Sequence, residues 1–88
     1  MPRVLKKKIL PSMAQALASG DKTFEIRWND EGYQKGDVIE FVVADANGTY
    51  PQNPLSGKRY LVTYVLNGFG LDNGYVCMAI KPCEEDGV

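Results

Sequence analysis

At 88 residues, with 44% apolar and 24% charged side chains, the chain has room for one domain with one modest core. A formal net charge of −1 argues against strong non-specific binding to a long polyanion. There are two cysteines, Cys77 and Cys83, and no histidine, so neither a zinc site nor a disulfide framework nor a thiol–histidine mechanism is indicated. No metal and no cofactor are expected.

No apolar run approaches the roughly 18 residues that cross a bilayer. The opening MPRVLKKKIL offers only Ile9-Leu10 after its basic residues, so neither a leader nor a membrane segment is expected, and a cytoplasmic location is. The expected organisation is one domain over residues 1–82 and an acidic flexible tail over 83–88. Glu84, Glu85 and Asp86 take three of the eleven acids, which leaves the body slightly positive against ten bases.

Val4 to Leu10 reads as a first strand, and its run Lys6-Lys7-Lys8 as the solvated guard of a sheet edge. Ser12 and Gln15 have capping-box spacing, Met13, Ala16 and Leu17 recur at helical spacing, and Gly20 is placed to end the helix in a left-handed cap. Lys22 to Trp28 is the second strand. There Phe24, Ile26 and Trp28 alternate with Thr23, Glu25 and Arg27, which predicts an apolar core face and a polar face. Trp28 is expected in the core.

Asn29 to Gly32 and Lys35-Gly36-Asp37 are turn clusters ahead of a strand over Val38 to Ala44, with Ile39, Phe41 and Val43 as its core face. Asn47-Gly48 is a hairpin signal, and Thr49 to Gly57, with Pro51 and Pro54, reads as a surface loop. Lys58 to Leu66 and Tyr75 to Lys81 are the remaining strands, separated by a glycine-rich loop. Cys77 falls in an apolar run and reads as a small core residue, while Cys83 reads as a free exposed thiol. The order of elements predicts an α+β, mainly β fold in which a short helix accompanies five strands closing into a small barrel.

Several segments now read together: Ile9-Leu10-Pro11, Gly20-x-Lys22-Thr23-Phe24-Glu25-Ile26-Arg27, Asn29-Asp30, Gly36-Asp37, Gly57-Lys58-Arg59, and Leu71 with Gly74-Tyr75-Val76. This pattern resembles the ASCH domains of the PUA-like superfamily, most closely a small branch of unknown function common in phage and prophage genomes. The resemblance implies a five-stranded pseudo-barrel with one short helix beside a cleft, and a role in binding RNA or nucleotides. Two positions depart from that branch. Leu5 stands where it often has a histidine, and Glu31 where an arginine commonly follows Asn-Asp.

The residues singled out for ligand binding are Lys22, Thr23, Glu25, Arg27, Asn29, Tyr33 and Asp37. Glu25 and Arg27 are two apart on a strand, on one face and about 6 to 7 Å apart along the backbone. A guanidinium there can hold a phosphate or base edge bidentately with the carboxylate orienting it, and the same two residues also read as a structural pair lining a barrel mouth. Lys22 adds a second positive point and Thr23 a hydroxyl. Asn29 and Asp30 are also ordinary turn formers, and Asp37 is either a backbone cap or a group on the cleft rim. Tyr33 and Tyr50, in loops, are candidate stacking platforms for a base.

The leading reading is an RNA- or nucleotide-binding module. A second is a metal-independent hydrolase, either an amidohydrolase acting on an acetylated cytidine or an RNA-cleaving enzyme. Lys22, Thr23 and Glu25 would do its chemistry, although the alignment with such ASCH-like enzymes puts Glu25 where they have a threonine nucleophile. A third is a phage-encoded protein-interaction module working through Phe69 and Leu71.

Overall fold

The computed structural model describes residues 2–83; the acidic segment 84–88 lies outside them. The elements are β1 (Val4–Ile9), α1 (Pro11–Ser19), β2 (Phe24–Trp28), β3 (Val38–Val43), β4 (Arg59–Asn67) and β5 (Tyr75–Pro82). The strands form one sheet in the order β1-β3-β4-β5-β2, with β1 parallel to β3 and every other neighbouring pair antiparallel. The sheet curls into a half-barrel, so the fold is mainly β with one short helix, as the element order predicts. No helix among the described residues is long and apolar enough to cross a membrane.

The core fills the concave side. Ile39, Phe41 and Val43 of β3 are fully buried and meet Val62 of β4 and Val76, Met78 and Ile80 of β5. Phe41 packs edge-on against Tyr60, with ring centroids 5.6 Å apart. A register shift between Val62 and Tyr64 inserts one extra residue into β4. Tyr60 and Val62 point inward before this bulge; beyond it, Tyr64 stands outside, 61% exposed.

Helix α1 begins two residues earlier than a Ser12 cap would allow. Pro11 lies at its start and Leu10 is the extended N-cap, with no side-chain cap. Proline lacks the N–H that a first turn leaves unpaired, and it forces the residue before it into extended backbone. The Ser12–Gln15 capping box therefore does not form. Gly20 ends the helix in the left-handed region at φ 87°, its N–H donating to the Leu17 carbonyl. The buried face is Ala14 and Leu17, and Met13 stands exposed.

Asn47-Gly48 does make a tight turn, with the Asp45 carboxylate accepting from the N–H groups of Asn47 and Thr49. It is not the tip of a strand hairpin. The β3–β4 ladder joins Val38–Glu40 to Arg59–Leu61, so the turn sits within a longer loop that sends Leu55 into the core.

The main reversal is at β2. Its alternation is real, but Phe24, Ile26 and Trp28 point outward and are exposed, whereas Glu25 is buried and Arg27 half-buried. Strand β2 is an edge, and the concave side there opens onto a gap rather than onto the core. The polar face is accepted there because Lys22 and Arg27 compensate the buried Glu25, and the apolar face is left outside. Cys77, in register with Ile26, is likewise on the outer face and half-buried.

Candidate ligand-binding cleft

The edge strands β1 and β2 approach each other without a backbone ladder, and side chains bridge them. The Arg27 guanidinium donates from Nη1 to the Lys8 carbonyl at 3.2 Å. One residue along β1, the Lys7 ammonium donates to Asp30 at 2.9 Å and pairs with Glu31. Burial works against the charge on Lys7, but the hydrogen bonds to Glu31 and Asp30 outweigh it and raise its pKa. The same contact with Lys7 holds the Asp30 carboxyl below the usual carboxylate range.

Between these bridges and the start of α1 lies a concavity of about 330 Å³, walled by Lys8, Leu10, Met13, Glu25, Arg27 and Trp28. Glu25 holds its polar wall together. Its Oε1 accepts from the Lys22 ammonium and its Oε2 from Arg27 Nη1, both at 2.7 Å. The Lys22 ammonium also donates to the Phe24 carbonyl at 2.7 Å and lies 5.1 Å from the centre of the Phe24 ring. A buried carboxylate between two cations is well compensated, and the cluster carries a net charge of +1. Arg27 Nη1 serves both Glu25 and Lys8, while Nε and Nη2 have no acceptor among the described residues. Those N–H groups are the part of a guanidinium that grips an anion.

Trp28 adds an aromatic wall. Its ring meets Tyr75 edge-on at 5.6 Å and lies over Gly74, where a β-carbon would come within 2.1 Å of the indole. Only glycine leaves room for the ring, so Trp28 is held in place although 57% exposed. Sequence reasoning assigned Trp28 to the core and missed this wall. The usable signal was Gly74 beside Tyr75, a residue with no side chain next to an aromatic one in a strand start.

The other predicted residues lie elsewhere or are engaged structurally. Lys22 reaches Glu25 but does not itself line the concavity, and Thr23 is exposed with its hydroxyl unbonded among the described residues. The Asn29 side chain accepts the Tyr33 N–H at 2.9 Å, four residues on, and so closes the turn as a structural group. Tyr33 is no stacking platform: it is buried in the core and its hydroxyl donates to Asp30. Burial raises its pKa.

Asp37 lies at the far end of β1 from the cleft. It is buried and accepts from Arg3 Nε at 3.1 Å, from Arg3 Nη2 at 2.7 Å and from the Gln34 N–H at 2.8 Å. The Arg3 hydrogen bond, against the cost of burial, holds its carboxyl below the usual range. Tyr50 is exposed, with the Lys8 ammonium 5.6 Å from its ring centre, and Phe69 projects almost wholly into solvent from a left-handed backbone. Among the described residues no group of acids and cysteines stands together as a metal-ligand set.

A larger groove of about 840 Å³ lies along another face of α1, between Pro11, Ala14 and Ala18, the 53–60 segment and Cys83. It is mainly apolar, and its one ion-paired cation, Arg59, is joined to Glu40 at 3.0 Å. Cys83 at its edge is half-buried, and desolvation raises its thiol pKa. Size alone favours this groove, but the smaller cleft gathers the charged hydrogen-bonding groups.

The family model for a domain of unknown function, DUF3850, matches residues 4–80, from the first strand to the last. The chain belongs to the DUF3850 family. No curated protein matches it. The matched span takes in β1 to β4, β5 as far as Ile80, and both walls of the cleft, so the cleft is part of the DUF3850 domain itself.

Proposed function

We propose that this DUF3850 domain is a binding module for RNA or a nucleotide, with the cleft between its sheet edges as the site. The observation that carries the reading is the state of Arg27. Glu25 and the Lys8 carbonyl fix one nitrogen of its guanidinium, and the remaining donors are open beside an immobilised, exposed indole. A phosphate fits the open donors of Arg27, and a base fits the face of Trp28. The resemblance to ASCH domains supports the same ligand class and a place in phage or prophage genomes.

Hydrolysis of an acetylated nucleoside or of RNA is less well supported. Each oxygen of Glu25 already accepts a hydrogen bond from a cation, so the carboxylate is engaged in the wall of the cleft rather than turned toward a substrate proton. Thr23, the remaining nucleophile candidate, does not line the cleft.

Titration with nucleotides and short single-stranded RNAs, followed by Trp28 fluorescence and amide chemical shifts, tests the proposal. Binding should weaken with added salt. Arg27→Ala should lower affinity by about tenfold or more, since a charged hydrogen bond contributes about 1.5 to 3 kcal/mol. A folded Arg27→Ala variant that binds these ligands as the parent does would overturn the reading.

A further inference from the structure

The apolar face that β2 turns outward does not end with that strand. Phe24, Ile26 and Trp28 are in register with Ala79, Cys77 and Tyr75 of β5, and beyond the β4 bulge Ala79 and Cys77 are in register with Tyr64 and Leu66. The result is a three-strand apolar surface in which Phe24, Ile26, Trp28, Tyr64 and Tyr75 are each between 40% and 61% exposed. None of these outward positions is charged. The other half of the convex surface is different in kind, with Lys6 paired to Glu40 and Glu40 to Arg59.

We propose that the outer face of β2, β5 and β4 is a self-association surface, covered by the same face of a second copy of this chain. Area is the first argument. A large aromatic side chain buries about 150 to 250 Å² when fully covered, so the five half-exposed residues offer on the order of 500 Å² per copy. A pair would bury on the order of 1,000 Å², about the least that a specific interface needs and the range of weak, concentration-dependent pairing. A patch of that size is also at the upper end of what a monomer leaves uncovered.

Charge is the second argument. In a two-fold pairing residue i meets j and j meets i, so an uncharged face pairs with itself without setting like charges together. The aromatic part of this face meets that condition, and Lys81, the next outward residue of β5 after Ala79, lies at its border. A nucleic acid laid across the same face would need cations for its phosphates, and Lys22, beside Phe24, is turned into Glu25 instead. Rigidity is the third. With Trp28 lodged over Gly74 and against Tyr75, the central anchor loses little freedom on docking.

Sedimentation of the full chain over a range of concentrations, with the emission of its single tryptophan, tests this. The mass should double as concentration rises, and Trp28 emission should move to the blue as the indole is covered. Tyr64→Lys and Ala79→Lys place a charge on the face without touching the residues that line the cleft. Each should weaken pairing by more than about tenfold, with an unchanged circular dichroism spectrum. A parent that stays monomeric at high concentration overturns the proposal, and so does a Tyr64→Lys or Ala79→Lys variant that pairs as well as the parent. A blue shift produced only by added single-stranded RNA also overturns it, with nucleic acid as the occupant. Trp28 belongs to both surfaces, so the cleft is read apart from pairing by nucleotide titration of the same two variants followed at the amides of Glu25 and Arg27 rather than by tryptophan emission. Nucleotide binding that survives in a monomeric variant leaves the cleft standing whatever becomes of the pairing.

Discussion

Strands β2 and β3 carry the same signature, aromatic and aliphatic residues at every second position, and place it on opposite sides of one sheet. In β3, Ile39, Phe41 and Val43 are fully buried; in β2, Phe24, Ile26 and Trp28 are exposed and Glu25 is buried. The local pattern is equivalent, so the difference comes from position. With β1 on one side and β4 on the other, β3 has its concave face over the centre of the core. Strand β2 is an edge beside a gap, where the concave side holds the paired charges of Lys22, Glu25 and Arg27. Period-2 alternation says that two faces differ. Which face is the inside depends on what the strand lies next to.

The contrast can be broken or sharpened by substitution. The largest effect is expected in a pair of measurements. Phe41→Ala should cost about 3 to 5 kcal/mol in urea unfolding, from lost transfer energy and the cavity left behind. Ile26→Ser, at the equivalent phase of β2, should stay within about 0.5 kcal/mol in dilute solution, as exposed substitutions do. Similar losses at the two sites would mean that β2 is buried in the monomer after all.

Next in size is Glu25→Ala, which leaves Lys22 and Arg27 without their shared carboxylate. Breaking a fully buried pair costs about 3 to 5 kcal/mol, but both cations retain some solvent contact, so about 1 to 3 kcal/mol is expected by chemical denaturation. A neutral result would show that the cluster does not fix the inner face of β2.

The smallest effect concerns the clamp at the start of β3. Asp37 has a lowered folded pKa because Arg3 hydrogen-bonds its carboxylate. A depressed carboxylate pKa gives stability that is present above the unfolded value of about 3.9 and is lost as pH falls through the folded one. Asp37→Asn should therefore destabilise by about 1 kcal/mol near neutral pH, on the usual scale for one hydrogen bond. The gap to the parent should close as the medium is acidified below about pH 4. Thermal unfolding at a series of pH values checks it, and a gap that grew with acid would contradict the Arg3–Asp37 clamp.

Much of the fold was legible in the residues. Gly20 as a left-handed cap, the Ile39/Phe41/Val43 stripe and all five strands follow from local chemistry, because caps, periods and turn formers act over a few residues. The site was legible in part. The grouping of Lys22, Glu25 and Arg27 follows from their spacing, and the structure joins them through two 2.7 Å contacts. The position of Asp37 did not follow, since its partner Arg3 is 34 residues away in sequence. Neither did the burial of Tyr33, which depends on Lys7 and Asp30 closing over the gap between strands.

By itself the sequence determined that there would be a helix, five strands and a two-faced segment gathering an ammonium, a carboxylate and a guanidinium. Only the tertiary structure decided which side of that segment is inside, that Trp28 is a wall rather than core, and that an uncharged aromatic face is left uncovered. The physical reason is the range of the interactions. Backbone preference and side-chain alternation are settled between near neighbours, whereas burial is settled by whatever the folded chain brings to the other side.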